Sequence, residues 1–412
     1  MNRCTLISLV ILGALSAGMG ACSGHKSGSG FEDEQKKAAD KGATTAEAGA
    51  AEPTGPQGPD LGGEFDGGSA NGCAFFDSTD HDGDGFSAVE GDCNDCDANM
   101  NPGAYDVDGN MLDEDCSGVP DDEAKACDTS LTLDSTDAFD GARAMGLCKQ
   151  ADENGVGADK KWGVVSARYV KPDGTAESNT LSHGLLDSFG VNKPQDGDRV
   201  LALSSGTARA PNQAGYKGVS GYQKNYTSGT PAGYPKESAA CPAVKTGQAN
   251  DGAGLEVKIR VPTNAKSFSF QENFFTYEFP TFICSTFNDF YVAMLSPIPM
   301  GLMDGNIAFD QANNPISVNN SLLQVCTPQT AGKKPFACPL GASSLSGTGF
   351  ESHAATGWLQ TQAPVKAGDI ITLLFTIWDS GDGVLDSSVL IDKFEWSVDP
   401  ATSTSTTPVP TK

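Results

Sequence analysis

Leu255, Val257, Ile259 and Val261 alternate with Glu256, Lys258 and Arg260. A period of two commits one face of a segment to a core and the other to water, so this stretch reads as a half-buried strand. Phe268 and Phe270 alternate in the same way with Ser267, Ser269 and Gln271. Further strands are expected over Trp162 to Val170, Arg199 to Leu203, Asp289 to Leu295, Ile370 to Trp378 and Val389 to Trp396, with Gly, Pro and Asn clusters as turns between them. One helix is expected over Asp137 to Leu147, with Ala138, Ala142 and Met145 on one side. Many strands and few helices predict a mainly β fold, an antiparallel β-sandwich that is jelly-roll-like, over residues 129–398.

The rest of the chain has little with which to build a core. Residues 22–72 are Ala, Gly, Ser, Pro, Glu and Lys with almost no large apolar side chain, the composition of a disordered tether. Residues 399–412 read as a Thr, Ser and Pro tail without core residues. At the other end, Arg3 precedes an apolar run from Leu6 to Leu15 and a small-residue exit, an export signal over residues 1–21. The run is too short for a membrane span, which takes about 20 residues. Met19-Gly20-Ala21-Cys22 resembles the bacterial lipobox, which implies acylation of Cys22 and a lipid anchor. By the same analogy Ser23, with no Asp there, favours the outer membrane over retention at the inner one; the cell surface is the expected location, although the residue does not decide the membrane face. The formal net charge of −26 argues against nucleic acid as a partner and suits cation binding.

Cysteine usage agrees with export. Beyond Cys22 there are ten: Cys73, Cys93, Cys96, Cys116, Cys127, Cys148, Cys241, Cys284, Cys326 and Cys338. An even number in an oxidising compartment reads as disulfides, and no histidine stands near them at a zinc-ligand spacing. Connectivity does not follow from sequence, although proximity favours Cys326–Cys338 and Cys127–Cys148.

Residues 73–128 form an Asp- and Cys-rich module with no Lys or Arg before Lys125. Its sharpest feature is Asp80-His81-Asp82-Gly83-Asp84-Gly85-Phe86. Carboxylates at every second position, with Gly to permit the turn, wrap oxygens around a hard cation such as Ca²⁺. Only the first half of an EF-hand loop is present: the twelfth position is Gly91, flanked by Glu90 and Asp92. The expected ligand set is Asp80, Asp82, Asp84, the Phe86 carbonyl and Asp92. His81, the module's only imidazole, reads as a loop residue exposed to solvent.

The run continues through Gly91-Asp92-Cys93-Asn94-Asp95-Cys96, Asn101-Pro102-Gly103-Ala104 and Asp113-Glu114-Asp115-Cys116. These four blocks, in this order, resemble the MopE-type metal-binding repeat of myxobacterial surface proteins. Cys96 is additional to the family pattern, so no disulfide pairing is carried over. The family label implies copper, which prefers imidazole and thiolate, whereas the oxygen donors here favour calcium. In the larger segment, His183-Gly184-Leu185, Gly197-Asp198-Arg199-Val200-Leu201, Ser267-Phe268-Ser269-Phe270 and the stretch from Ile377 to Asp392 resemble the choice-of-anchor L domain. That resemblance implies an extracellular β-rich domain with variable anchoring, and no particular activity.

Asp379, Asp382 and Asp386 lie in a Gly-containing turn and form a second candidate cation site, with a plain Asx-rich turn as the equal alternative. Enzyme signatures are missing. Gly218-Val219-Ser220-Gly221 fails the nucleophile-elbow spacing, and the four histidines are isolated from one another. The favoured expectation is a non-enzymatic surface lipoprotein, structural or adhesive, stiffened by calcium and held to the membrane by its lipid. The alternative is a carbohydrate-binding protein that retains extracellular polysaccharide, with Tyr216, Tyr222, Tyr226 and Tyr234 as stacking platform; a surface protein is the other candidate partner.

Overall fold

A computed structural model describes residues 73, 75–123, 126–320 and 322–410. The signal, Cys22 and the tether of residues 22–72 lie outside the described residues. Among the described residues the regular elements are one α-helix, α1 (Ala138–Arg143), three short 3-10 turns, and fourteen strands: β1 (Gly163–Val170), β2 (His183–Leu186), β3 (Val200–Ser204), β4 (Ala249–Arg260), β5 (Ser267–Thr276), β6 (Phe290–Ser296), β7 (Ile316–Ser317), β8 (Gln329–Ala331), β9 (Lys334–Phe336), β10 (Ala354–Ala355), β11 (Leu359–Pro364), β12 (Ile370–Ser380), β13 (Ser387–Ser397) and β14 (Ser405–Pro408). No helix among the described residues is long and apolar enough to cross a membrane.

Two antiparallel sheets form the sandwich. One runs β1-β4-β12-β6-β7, the other β14-β11-β5-β13-β3-β2. The pairing is nested: β3 pairs with β13, β4 with β12, β5 with β11 and β6 with β7. Successive partners alternate between the sheets, which is the double Greek key of a jelly roll. β1, β2 and β14 extend its edges.

The alternation read in the sequence decides which residues fill the space between the sheets. Leu255, Val257 and Ile259 of β4 face Phe268, Phe270 and Phe274 of β5, together with Leu373, Phe375 and Ile377 of β12 and Val389 and Ile391 of β13, all buried. Glu256 points outward and pairs with Arg168 of β1. Some strands are covered on both faces. Val200, Ala202, Phe275 and Leu390 turn away from this core and pack under Phe189, Leu345 and Phe350 from the loops. On the opposite outer face Phe290, Val292 and Trp378 are roofed by Tyr234. This double coverage explains the unbroken apolar run of β3, all of whose residues are buried.

α1 is shorter than the expected Asp137 to Leu147, with Asp137 as its N-cap accepting from the Phe139 amide. Ala138, Ala142 and Met145 face the core as the pattern implies. The C-terminal segment departs from expectation. Instead of a tail without core residues, it supplies β14, whose Thr406 is buried and hydrogen-bonded through its hydroxyl to that of Thr361. A strand of Ser and Thr is tolerated because it sits at a sheet edge and needs only one apolar-compatible face.

Five disulfides are formed: Cys73–Cys96, Cys93–Cys116, Cys127–Cys148, Cys241–Cys284 and Cys326–Cys338. The two pairs favoured by proximity are among them. The described part of the Asp-rich segment docks on the sandwich. Asn264 grips the Tyr105 backbone at both ends, accepting from its amide and donating to its carbonyl at 2.8 Å each. Trp162 Nε1 donates to the Ala104 carbonyl, and the Thr263 amide to that of Gly103. Phe86 is wholly buried beside Gly103. A Cβ on Gly103 would stand 3.0 Å from the Phe86 ring and 3.1 Å from Thr263, so the Gly of Pro102-Gly103-Ala104 makes room for the docking.

Candidate metal centre

In the acidic loop each short carboxylate first satisfies local backbone, as Asx-turns do. Asp80 uses both oxygens in this way, accepting from the amides of Gly83 and Gly85. Asp82 accepts from Asp84, Asp84 from Phe86 and Asp92 from Asn94, each through Oδ1. The Oδ2 atoms of Asp82, Asp84 and Asp92 are buried and have no hydrogen-bond partner. These three residues bring ligand oxygens within 4.8 Å of one another. Burial, with the neighbouring carboxylates adding, pushes Asp84 up to about 7 and Asp92 up to about 6. Unpaired oxygens converging in a region of like charge are what a hard divalent cation would neutralise.

The neighbouring residues are already engaged. Glu90, beside the twelfth position, closes a capping box with Ser87 through its amide and hydroxyl. His81 stacks on Phe75 and pairs with Asp95 at 2.9 Å, so the imidazole serves a carboxylate. Asp80, Asp82 and Asp95 also approach one another, but donors from the chain hold Asp80 and Asp95. A third group, Asp106, Asp115 and Asp122, is likewise met by protein donors, including Lys149 on Asp115. The Phe86 amide is held within the loop by Asp84, while its ring is buried beside Gly103.

A fourth acidic group lies at one end of the sandwich. Glu278 follows β5, Asp289 immediately precedes β6, and Asp379 is the penultimate residue of β12. Their ligand atoms come within 4.8 Å of one another, and all three residues are buried. Of the turn residues considered from sequence, Asp379 thus groups with Glu278 and Asp289. Asp382 is exposed and caps the turn by accepting from the Val384 amide. Asp386 is buried against Gly206, where a Cβ would stand 1.8 Å from its carboxylate. Burial raises the carboxyl of Asp386 to about 8.

Spacing alone does not disclose Glu278 and Asp289, since the β5–β6 connection and the β12–β13 turn bring them to Asp379. One signal does exist. From Ser267 to Gly332 the chain has no Lys or Arg, so acids in that stretch lack a local counter-charge.

The four tyrosines do not make an exposed row. Tyr234 is buried against Phe290 and Trp378, and the Tyr226 hydroxyl is tied to Glu177 and to the Gly252 carbonyl. Aromatic side chains collect elsewhere, in a cavity of about 300 Å³ lined by Tyr105 and the largely buried Trp162, Phe394 and Trp396 together with Glu123 and Glu395.

A scan against protein-family models matches none, and a search of curated proteins finds no similar chain.

Proposed function

We propose that the protein is a lipid-anchored surface protein whose β-sandwich has a structural or adhesive role and is stiffened by calcium in the acidic loop. One observation carries the calcium part: Asp82, Asp84 and Asp92 bring ligand oxygens within 4.8 Å of one another, and each keeps a buried Oδ2 without a hydrogen-bond partner. The docking of that loop through Phe86, Tyr105 and Asn264 supports the stiffening, because ordering the loop also orders the surface on which it rests. Anchoring through Cys22 and placement at the outer membrane rest on the lipobox-like sequence and the family resemblances. No catalytic role and no nucleic-acid partner are assigned.

Calcium added to chelator-treated protein should raise the melting temperature, and Asp84→Asn should blunt the rise. No shift at millimolar calcium would refute the loop assignment. Retention of polysaccharide is a second reading, favoured by the aromatic and acidic cavity at Trp162 and Trp396. A glycan array probed with calcium-loaded protein tests it. Binding that survives Trp396→Ala would not belong to this cavity.

A further inference from the structure

We propose that Glu278, Asp289 and Asp379 hold a second calcium ion, which clasps the two sheets together at one end of the sandwich. Asp379 is fully buried, and no hydrogen-bond donor among the described residues reaches either of its carboxylate oxygens. Glu278 is 1% exposed and its Oε2 is also unpartnered. Asp289 is fully buried and already structured for coordination: Oδ1 accepts from the Ser380 amide at 3.0 Å and Oδ2 from the Ser387 hydroxyl at 2.6 Å. Those two bonds fix the carboxylate just ahead of β6 against the end of β12 and the start of β13, while Glu278 reaches the same place from just beyond β5.

Three carboxylates in so small a buried space require neutralisation, because burial of an uncompensated charge is too costly to persist. Lys224 is a basic side chain that bears on Asp379, but its Nζ is already bonded to the Ser182 hydroxyl and the Ser204 carbonyl, and the stretch bearing Glu278 and Asp289 has no basic residue. Protons shared among the three are the alternative form of neutralisation. The donors are oxygen only, which selects a hard cation. Ca²⁺ takes carboxylate oxygens mono- or bidentately in flexible geometry, whereas Mg²⁺ is usually held by one or two carboxylates and keeps several waters, so a set of three carboxylates suits Ca²⁺. Such an ion would bridge the β5–β6 connection and the β12–β13 turn, which belong to strands of different sheets. This inference is independent of the acidic loop, which lies in another part of the chain.

The test uses the whole protein, with calcium as the only added ligand. Hydrogen exchange is followed residue by residue in chelator and in millimolar calcium. Amides of residues 277–289 and 379–387 should exchange at least about tenfold more slowly with calcium, as expected when ligand binds only the closed form. Calorimetry should find one calcium fewer for Asp379→Asn than for the wild type. Unchanged exchange in these two segments, or an unchanged calcium stoichiometry in Asp379→Asn, would overturn the site and leave shared protons as the explanation. Exchange around Asp82 and Asp92 reports the loop separately, so either assignment can fail while the other stands. Should Asp379→Asn not fold, the exchange measurement on the wild type still decides.

Discussion

Replacing Asn264 by Ala tests whether the acidic segment and the sandwich are one cooperative structure. The Asn264 side chain is 2% exposed and makes two hydrogen bonds of 2.8 Å to the Tyr105 backbone, one as acceptor and one as donor. Alanine removes both and provides nothing in exchange, leaving an amide and a carbonyl in a partly buried seam. Each orphaned group costs about 1–3 kcal/mol, and the partial access of water to Tyr105 argues for the lower half of that range. The expected loss is therefore about 2–4 kcal/mol. Urea denaturation with disulfides intact and calcium constant measures it, and hydrogen exchange locates it at the Tyr105 amide. Asn264→Asp retains the acceptor and loses the donor, so it should fall between Ala and the wild type in exchange at that amide. A loss below about 0.5 kcal/mol, the level of an ordinary surface substitution, would refute the reasoning. So would a large loss that left Tyr105 exchange unaltered.

Other perturbations address separate parts of the fold. Gly206→Ala should destabilise by about 2 kcal/mol or more by calorimetry, since the new methyl would collide with the buried Asp386 carboxylate. Removing the Cys127–Cys148 bridge by a double Ser substitution frees a loop with a sequence separation of 21 residues. The expected cost is about 3 kcal/mol in urea denaturation. His183 gives a pH dependence: burial, with Arg209 adding, lowers it from 6.5 to about 4, and its ring stacks on Tyr169. The folded chain therefore refuses a proton that the unfolded chain accepts. Stability from this group is complete above pH 6.5 and is lost as pH falls towards 4, by up to about 3 kcal/mol. The difference in urea midpoint between wild type and His183→Phe across that range should shrink as pH falls; a constant difference would contradict the assignment.

The strands legible in the sequence were those with a single buried face or a long apolar run. β4 and the first half of β5 show the period of two directly, and β12 and β13 carry enough large apolar residues to stand out from their turns. β2, β11 and β14 were not legible, for different physical reasons. β2 is four residues long and buried on both faces, which leaves no alternation. β11 and β14 meet the interior partly through Thr361 and Thr406, whose hydroxyls satisfy each other, so their inward faces do not read as apolar. Nor does the sequence foretell the roofing of the outer faces by Tyr234, Phe189 and Phe350, because those contacts join loops to distant strands. In the acidic loop, spacing points to alternate carboxylates and says nothing of their other partners. It could not distinguish Asp80, consumed by the Gly83 and Gly85 amides, from Asp82 and Asp84, which each retain an open oxygen.

The nested strand order also governs when the molecule can come into being. Leu203 finds its partner in Val389, and Val257 in Leu373, so each sheet waits for a segment made long after its own first strand. β3 and β4 have earlier partners in β2 and β1, and β5 in β11, but both sheets stay incomplete until β12 and β13 arrive. Closing such long loops before the contacts reward it makes folding slow. The sandwich therefore closes only once β12 and β13 are available.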